Sequence, residues 1–139
     1  MPEIAEVETV RNTLKKQILH KRIVDVNVLY SKMIESDVDE FKEKLINEEF
    51  VDIKRRGKWL IFETTNYYLL SHLRMEGKFF LKSAKDEIVK HEHIIITFDD
   101  DTQLRYHDTR KFGRMNLINK EDLYNVEGIK KQGEEPFSK

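Results

Sequence analysis

Apolar residues first recur at spacings of three and four, at Ile4, Val7, Val10, Leu14 and Ile18, with charged residues on the other faces. That is the period of an amphipathic helix, and it predicts one over residues 3–19. Over 22–29 the period drops to two. Val24, Val26 and Val28 fall on one side and Asp25 and Asn27 on the other, which predicts a strand. Ser36-Asp37-Val38-Asp39 resembles a capping box with aspartate in place of the usual glutamate. Val38, Phe41 and Leu45 then share one helical face, so a second helix of about ten residues is expected there.

From residue 50 onward the pattern is that of strands. The runs 50–56, 59–64 and 67–73 are short and rich in β-branched and aromatic residues, and Thr65-Asn66 reads as a hairpin turn between the last two. Strands at 78–82 and 93–99 flank a polar loop at 83–92. Asp99, Asp100 and Asp101 open a turn into a strand at 103–107. Three consecutive acids at a turn cannot all face one ion, so this is expected to be a solvated turn. A last strand at 114–118 runs into a capped helical turn at 119–123. The expected fold is mainly β with flanking helices: a two-layer antiparallel β-sandwich or flattened barrel of about eight strands, with an N-terminal helix and one inserted helix.

Composition narrows this picture. A chain of 139 residues fits one domain that buries about two-thirds of its unfolded surface. Apolar residues make up 39% and charged residues 37%, the balance of a soluble globular domain. No apolar run approaches the roughly 18 residues of a membrane span, and no signal-peptide pattern opens the chain. The absence of cysteine excludes a disulfide scaffold and a Cys-based zinc site in this stretch, and fits a reducing, cytoplasmic setting. Net charge is −1, so no domain-wide basic signature announces a nucleic acid. The signs are segregated, however. Base gathers at 20–22, 54–58 and 105–114, and acid at 35–49, 99–101 and 134–135, which predicts one basic face.

Four stretches carry candidate chemistry. Met1-Pro2-Glu3 sets a proline beside a carboxylate at the mouth of a helix. Removal of Met1 would leave a secondary amine, and an α-amino group has a reference pKa near ~8 against ~10.4 for lysine. A neutral secondary amine that attacks carbon yields an iminium, an electron sink. The alternative is a plain solvated helix start. Lys54-Arg55-Arg56-Gly57-Lys58 places four cations around a glycine at a strand-to-strand junction, suited either to phosphate contacts or to a charged edge that discourages aggregation. Ser71-His72-Leu73-Arg74-Met75-Glu76-Gly77 puts a methionine among cations at a turn, either an apolar wedge for a base stack or a simple hairpin. Arg105-Tyr106-His107-Asp108-Thr109-Arg110-Lys111-Phe112-Gly113-Arg114 is a basic loop with an arginine and a phenylalanine two residues apart. Such side chains can stack on bases or fill the gap left by an extruded one.

These four stretches, in this order and spacing, resemble bacterial formamidopyrimidine-DNA glycosylases, enzymes that excise 8-oxoguanine and ring-opened purines. The resemblance runs the length of the chain. Endonuclease VIII, a sister branch acting on oxidised pyrimidines, shares the Pro2-Glu3 start, but Val7-Glu8-Thr9-Val10-Arg11 and Arg110-Lys111-Phe112 look more like the formamidopyrimidine branch. The resemblance implies a bifunctional glycosylase/AP lyase of base-excision repair acting on double-stranded DNA. Pro2, freed of Met1, would be the nucleophile and Glu3 the proton donor. Lys58 would contact phosphate and donate a proton during elimination. His72, Arg56 and Lys111 would be further DNA contacts, and Met75, Arg110 and Phe112 would enter the duplex. Glu6 and Glu76 match weaker pocket positions.

Two departures stand out, Ala5 and Thr109 where the family usually has proline. The family also continues into a helix–two-turn–helix domain and a zinc finger. The chain is therefore expected to be the N-terminal catalytic domain over 1–131, with an interdomain linker beginning at 132–139. It should act as a monomer without a cofactor of its own, the family's single zinc belonging to the later finger. Alone it should bind DNA feebly, since losing phosphate contacts costs orders of magnitude in affinity. The alternative to an enzyme is a catalytically silent DNA-binding domain that keeps the fold.

Overall fold

Helix α1 (Ile4–Ile18) turns Val7, Leu14 and Ile18 inward, as the three-and-four spacing predicts. The computed structural model describes residues 4–74 and 76–125. Pro2, Glu3, Met75 and the expected linker at 132–139 lie outside the described residues. α1 lies along β2 (Phe50–Arg56). Glu8 meets Arg55, Arg11 donates to the Ile53 carbonyl, and Lys15 pairs with Asp52. The helix thus begins level with the end of β2. Its first turn overhangs the sheet, and Ile4, expected on the buried stripe, stays 49% exposed.

β1 (Ile23–Val28) departs from simple alternation. A bulge between Ile23 and Asp25 shifts the register against β6 (Glu92–Phe98). Ile23 and Val26 face the core while Val24 is exposed, so the expected Val24–Val26–Val28 face is broken. One extra residue changes the phase of every side chain beyond it. Helix α2 (Val38–Leu45) is also shifted by one. Its cap is Asp37, which accepts from the Glu40 N–H at 2.9 Å, while the Ser36 hydroxyl has no partner among the described residues.

The remaining strands fall close to their expected places: β3 (Trp59–Thr64), β4 (Tyr67–His72), β5 (Lys78–Ser83), β7 (Thr102–His107) and β8 (Arg114–Asn119). Short 3-10 turns occupy Ser31–Met33 and Lys120–Asn125. Every strand pair is antiparallel, in two sheets ordered β1-β6-β7-β5 and β2-β3-β4-β8. Aromatic rings bridge the sheets. Phe50 lies 5.9 Å from Phe98, and Phe62 lies 5.4 Å from Phe79. Apolar burial of this kind stabilises by roughly 25 cal/mol per Å². The outer face of the second sheet is covered too. Leu123 in the last 3-10 turn packs on Ile61 and Leu70, which is why Leu60, Ile61 and Phe62 are buried in succession.

The Asp99–Asp101 turn is fastened rather than merely solvated. Asp100 accepts from the Thr102 hydroxyl at 2.5 Å and pairs with Lys21 at 2.8 Å. Lys21 and Thr102 hold its carboxyl at about 2, well below the usual carboxylate range.

Register shows what gathers at one end of the sandwich. Trp59, His72 and Arg114 lie side by side across β3, β4 and β8, and Lys78, His107 and Glu92 do so across β5, β7 and β6. The β2–β3 turn, the β4–β5 crossing and the β7–β8 crossing therefore all emerge at this end, where α1 begins.

Candidate functional site

The β2–β3 turn is built for cations. Gly57 takes a left-handed φ of 60°, a conformation that glycine adopts without steric cost. Arg55 folds over the turn, donating from Nη1 to the Gly57 carbonyl at 2.9 Å and from Nε to Glu8 at 2.9 Å. Arg11 also donates to the Glu8 carboxylate. Hydrogen bonds from Arg11 and then Arg55 hold the Glu8 carboxyl at about 2. Arg56 and Lys58 remain half-buried beside this network.

His72 stands next to Lys58 through the Trp59↔His72 pair, its ring 5.0 Å from the Trp59 ring and edge-on to it. Burial, then Arg74 and Lys58, depress its pKa. The Arg74 N–H donates to Nδ1 at 3.1 Å, so the neutral ring carries its proton on Nε2, where it can donate to an anion. Arg74 itself takes a left-handed φ of 57°.

The β7–β8 crossing folds around one carboxylate. Asp108 is fully buried. It accepts from the Arg110 N–H at 3.2 Å, the Lys111 N–H at 3.0 Å and the Gly113 N–H at 2.8 Å, and from the Tyr106 hydroxyl at 3.0 Å. His93 Nε2 lies 2.7 Å from the Asp108 carbonyl. Above this floor Arg110, Lys111 and Phe112 are exposed, Phe112 by 48%. Lys111 takes a φ of 59° and its ammonium sits 4.8 Å from the Tyr30 ring centroid. Glu76, on the neighbouring crossing, comes within 4.0 Å of the Arg110 guanidinium.

The structure thus brings Arg56, Lys58, His72, Glu76, Arg110, Lys111 and Phe112 to one end, while Glu6 is exposed on the first turn of α1. It removes Arg105 from the basic loop. Alternation turns Arg105 away from Leu104 and Tyr106, onto the outer face of its sheet and beneath the 83–92 loop. There it is fully buried, donating to the carbonyls of Ser83, Asp86 and Glu87, to Gln103 and to Glu92. Burial by itself would push the Glu92 carboxyl up; Lys82, the Val89 N–H and Arg105 together hold it low. Among the described residues no three His, Asp or Glu side chains form a metal-ligand set.

Sequence reasoning missed Glu8, Tyr106 and Asp108. For Asp108 a signal was present, because an aspartate opening a short loop commonly accepts from the amides that follow it. Nothing in the one-dimensional pattern pairs Glu8 with Arg55, 47 positions away.

The fold is an antiparallel sandwich with a leading helix, and it gathers the basic turns and the exposed Phe112 at one end. The sequence profile of the formamidopyrimidine-DNA glycosylase N-terminal domain matches residues 1–115. The formamidopyrimidine-DNA glycosylase of Ligilactobacillus salivarius is 48% identical over 140 residues, covering 100% of this chain and 51% of that protein. The Enterococcus faecalis protein of the same name is 49% identical over 137 residues, covering 98% of this chain and 49% of its own length. Among solved structures, the Lactococcus lactis enzyme in complex with abasic-site DNA aligns with a TM-score of 0.86 at 39% identity, over 89% of this chain and 46% of that one. The same enzyme's G226P mutant, bound to DNA containing a formamidopyrimidine lesion, aligns equally well at 40% identity over the same shares. This chain belongs to the formamidopyrimidine-DNA glycosylase family and matches its N-terminal domain. It spans about half the length of the relatives it matches.

Proposed function

We propose that the chain supplies the catalytic domain of a bifunctional DNA glycosylase/AP lyase acting on oxidised purines in double-stranded DNA. One observation carries this: the start of α1, His72 at the end of β4 and the turns bearing Lys58, Arg110 and Phe112 lie at the same end of the sandwich. Pro2 precedes Ile4 by two residues, a reach of at most about 7 Å even when extended, so covalent connectivity ties its amine to the neighbourhood of these cations.

The chemistry follows from an amine beside anchored phosphates. The nitrogen of Pro2 forms a bond to C1′ as the glycosidic bond breaks, and the departing base takes the electron pair and a proton. Opening of the sugar leaves an iminium. Loss of a C2′ proton then expels the 3′ phosphate, and a second elimination expels the 5′ phosphate. Glu3 shuttles protons at the sugar. As a carboxylate it donates only after first taking a proton within the cycle. Lys58 binds the phosphate at the lesion and serves the elimination, with His72, Arg56 and Lys111 as further phosphate contacts. Arg110 pairs with the orphaned base, while Phe112 and Met75 wedge the stack. Glu6 and Glu76 border the pocket.

The test is borohydride trapping on an 8-oxoguanine duplex, with the complete protein. Protein freed of Met1 should give a covalent adduct. Protein that retains Met1, whose Pro2 nitrogen is an amide, should give none. DNA binding without trapping would make this a silent DNA-binding domain. Trapping confined to oxidised pyrimidines would place it with endonuclease VIII.

A further inference from the structure

The two crossings at the working end are separate in sequence, yet both close on one hydroxyl group. Tyr106 is fully buried at the end of β7, with its ring 5.1 Å from Phe79. Its hydroxyl donates to Asp108 Oδ2 at 3.0 Å, and the same oxygen accepts from the Gly113 N–H. Both glycines that close the crossings lie against that hydroxyl. A side-chain carbon added at Gly77 or at Gly113 would collide with the Tyr106 oxygen. Gly77 in turn closes the first crossing through its N–H to the Leu73 carbonyl at 3.0 Å. Neither glycine has a positive φ, so what each supplies is room for this contact.

We propose that Tyr106 and Asp108 are positioning residues that join the close of the first crossing, where Gly77 meets Leu73, to the 108–113 turn. Arg110 and Phe112 are then presented to a duplex in a set position relative to the end of β4. Asp108 shapes the second turn by holding three of its amides. Tyr106 passes that shape to the first turn by filling the gap between Gly77 and Gly113. Burial and the adjacent Asp108 carboxylate push the Tyr106 hydroxyl well above its ordinary pKa, so it remains a donor across the working pH range. Neither side chain reaches the surface, so neither touches DNA. Their effect is exerted through the turns. The proposal rests on the glycosylase function set out above.

Tyr106→Phe removes one oxygen and keeps the ring. Asp108→Asn keeps the shape but places an amide hydrogen against backbone N–H groups. Two rates are compared in the complete protein: single-turnover excision from an 8-oxoguanine duplex, and borohydride trapping on a single strand that already holds an abasic site. The second needs the amine but no base extrusion and no wedge. Misplacing groups by about 1 Å can cost two orders of magnitude, so each variant should lose about tenfold or more on the duplex. The loss on the single strand should be several-fold smaller. Thermal unfolding reports whether each variant is folded. If Asp108→Asn does not fold, Tyr106→Phe decides the matter. Equal loss on both substrates by a folded Tyr106→Phe, or no loss on the duplex, would overturn the proposal while the wild type still traps. A wild type that traps neither substrate would overturn the glycosylase function, and this proposal with it.

Discussion

Arg55 donates from Nε to the Glu8 carboxylate at 2.9 Å, joining the first half of α1 to the turn that carries Lys58. Arg55 also holds the Gly57 carbonyl at the apex of that turn, and Arg11 shares the same carboxylate. A helix and a hairpin that are 47 positions apart are thereby kept in one relative placement.

This network carries a pH signature. The Glu8 carboxyl falls from an ordinary 4.5 to about 2 in the folded chain. A depressed carboxylate contributes stability above its unfolded pKa and loses it as pH falls through its folded pKa. Glu8→Gln should therefore destabilise by a constant amount above about pH 5, an amount that shrinks progressively as pH falls towards and through the folded pKa of about 2. The side chain is 37% exposed, so solvent screening limits the effect to about 1 kcal/mol or less. Urea unfolding across this range checks it. A difference that persists undiminished at pH 2 would mean the charge is not the cause.

Arg105 has a structural role, with a larger effect. Its guanidinium is 1% exposed and faces a Glu92 side chain that is 0% exposed. Breaking a buried ion pair from one side costs about 3 kcal/mol or more. Arg105→Met should show this in urea unfolding, with faster hydrogen exchange in the 83–92 loop, whose carbonyls lose their donor. A cost below about 1 kcal/mol, the scale of a surface pair, would refute the assignment.

Lys58→Ala separates chemistry from folding. Surface substitutions usually change stability by no more than about 0.5 kcal/mol, whereas loss of one group that stabilises developing charge costs about a hundredfold in rate. Strand cleavage by the complete protein should therefore fall far more than its unfolding midpoint. Loss of folding in proportion to cleavage would return Lys58 to a structural role.

Much of the fold could be read directly from the chain, because strand and helix periods are local properties. Seven strands from Phe50 onward follow from short runs of β-branched and aromatic residues between turn signals, and the burial of Val7, Leu14 and Ile18 follows from helical spacing. Two of the errors share one cause. The bulge at Val24 and the exposure of Ile4 depend on a neighbouring element, whereas the cap at Asp37 rather than Ser36 is a local shift of one residue. Arg105 is the clearest case. As a residue type it belonged with the basic loop, but alternation along β7 and the arched 83–92 loop made it the inner fastening of another surface.

By itself, then, the sequence determined the element types, the segregation of charge and the motifs that mark the family. Those depend only on residue order and short-range periodicity. Tertiary structure alone decided that Glu8 meets Arg55 and that Tyr106 stands between Gly77 and Gly113. It also decided that Asp108 shapes the turn of Arg110 and Phe112. Such contacts join residues brought together by strand register and by the crossing of chain between two sheets. No periodicity along a single segment encodes them.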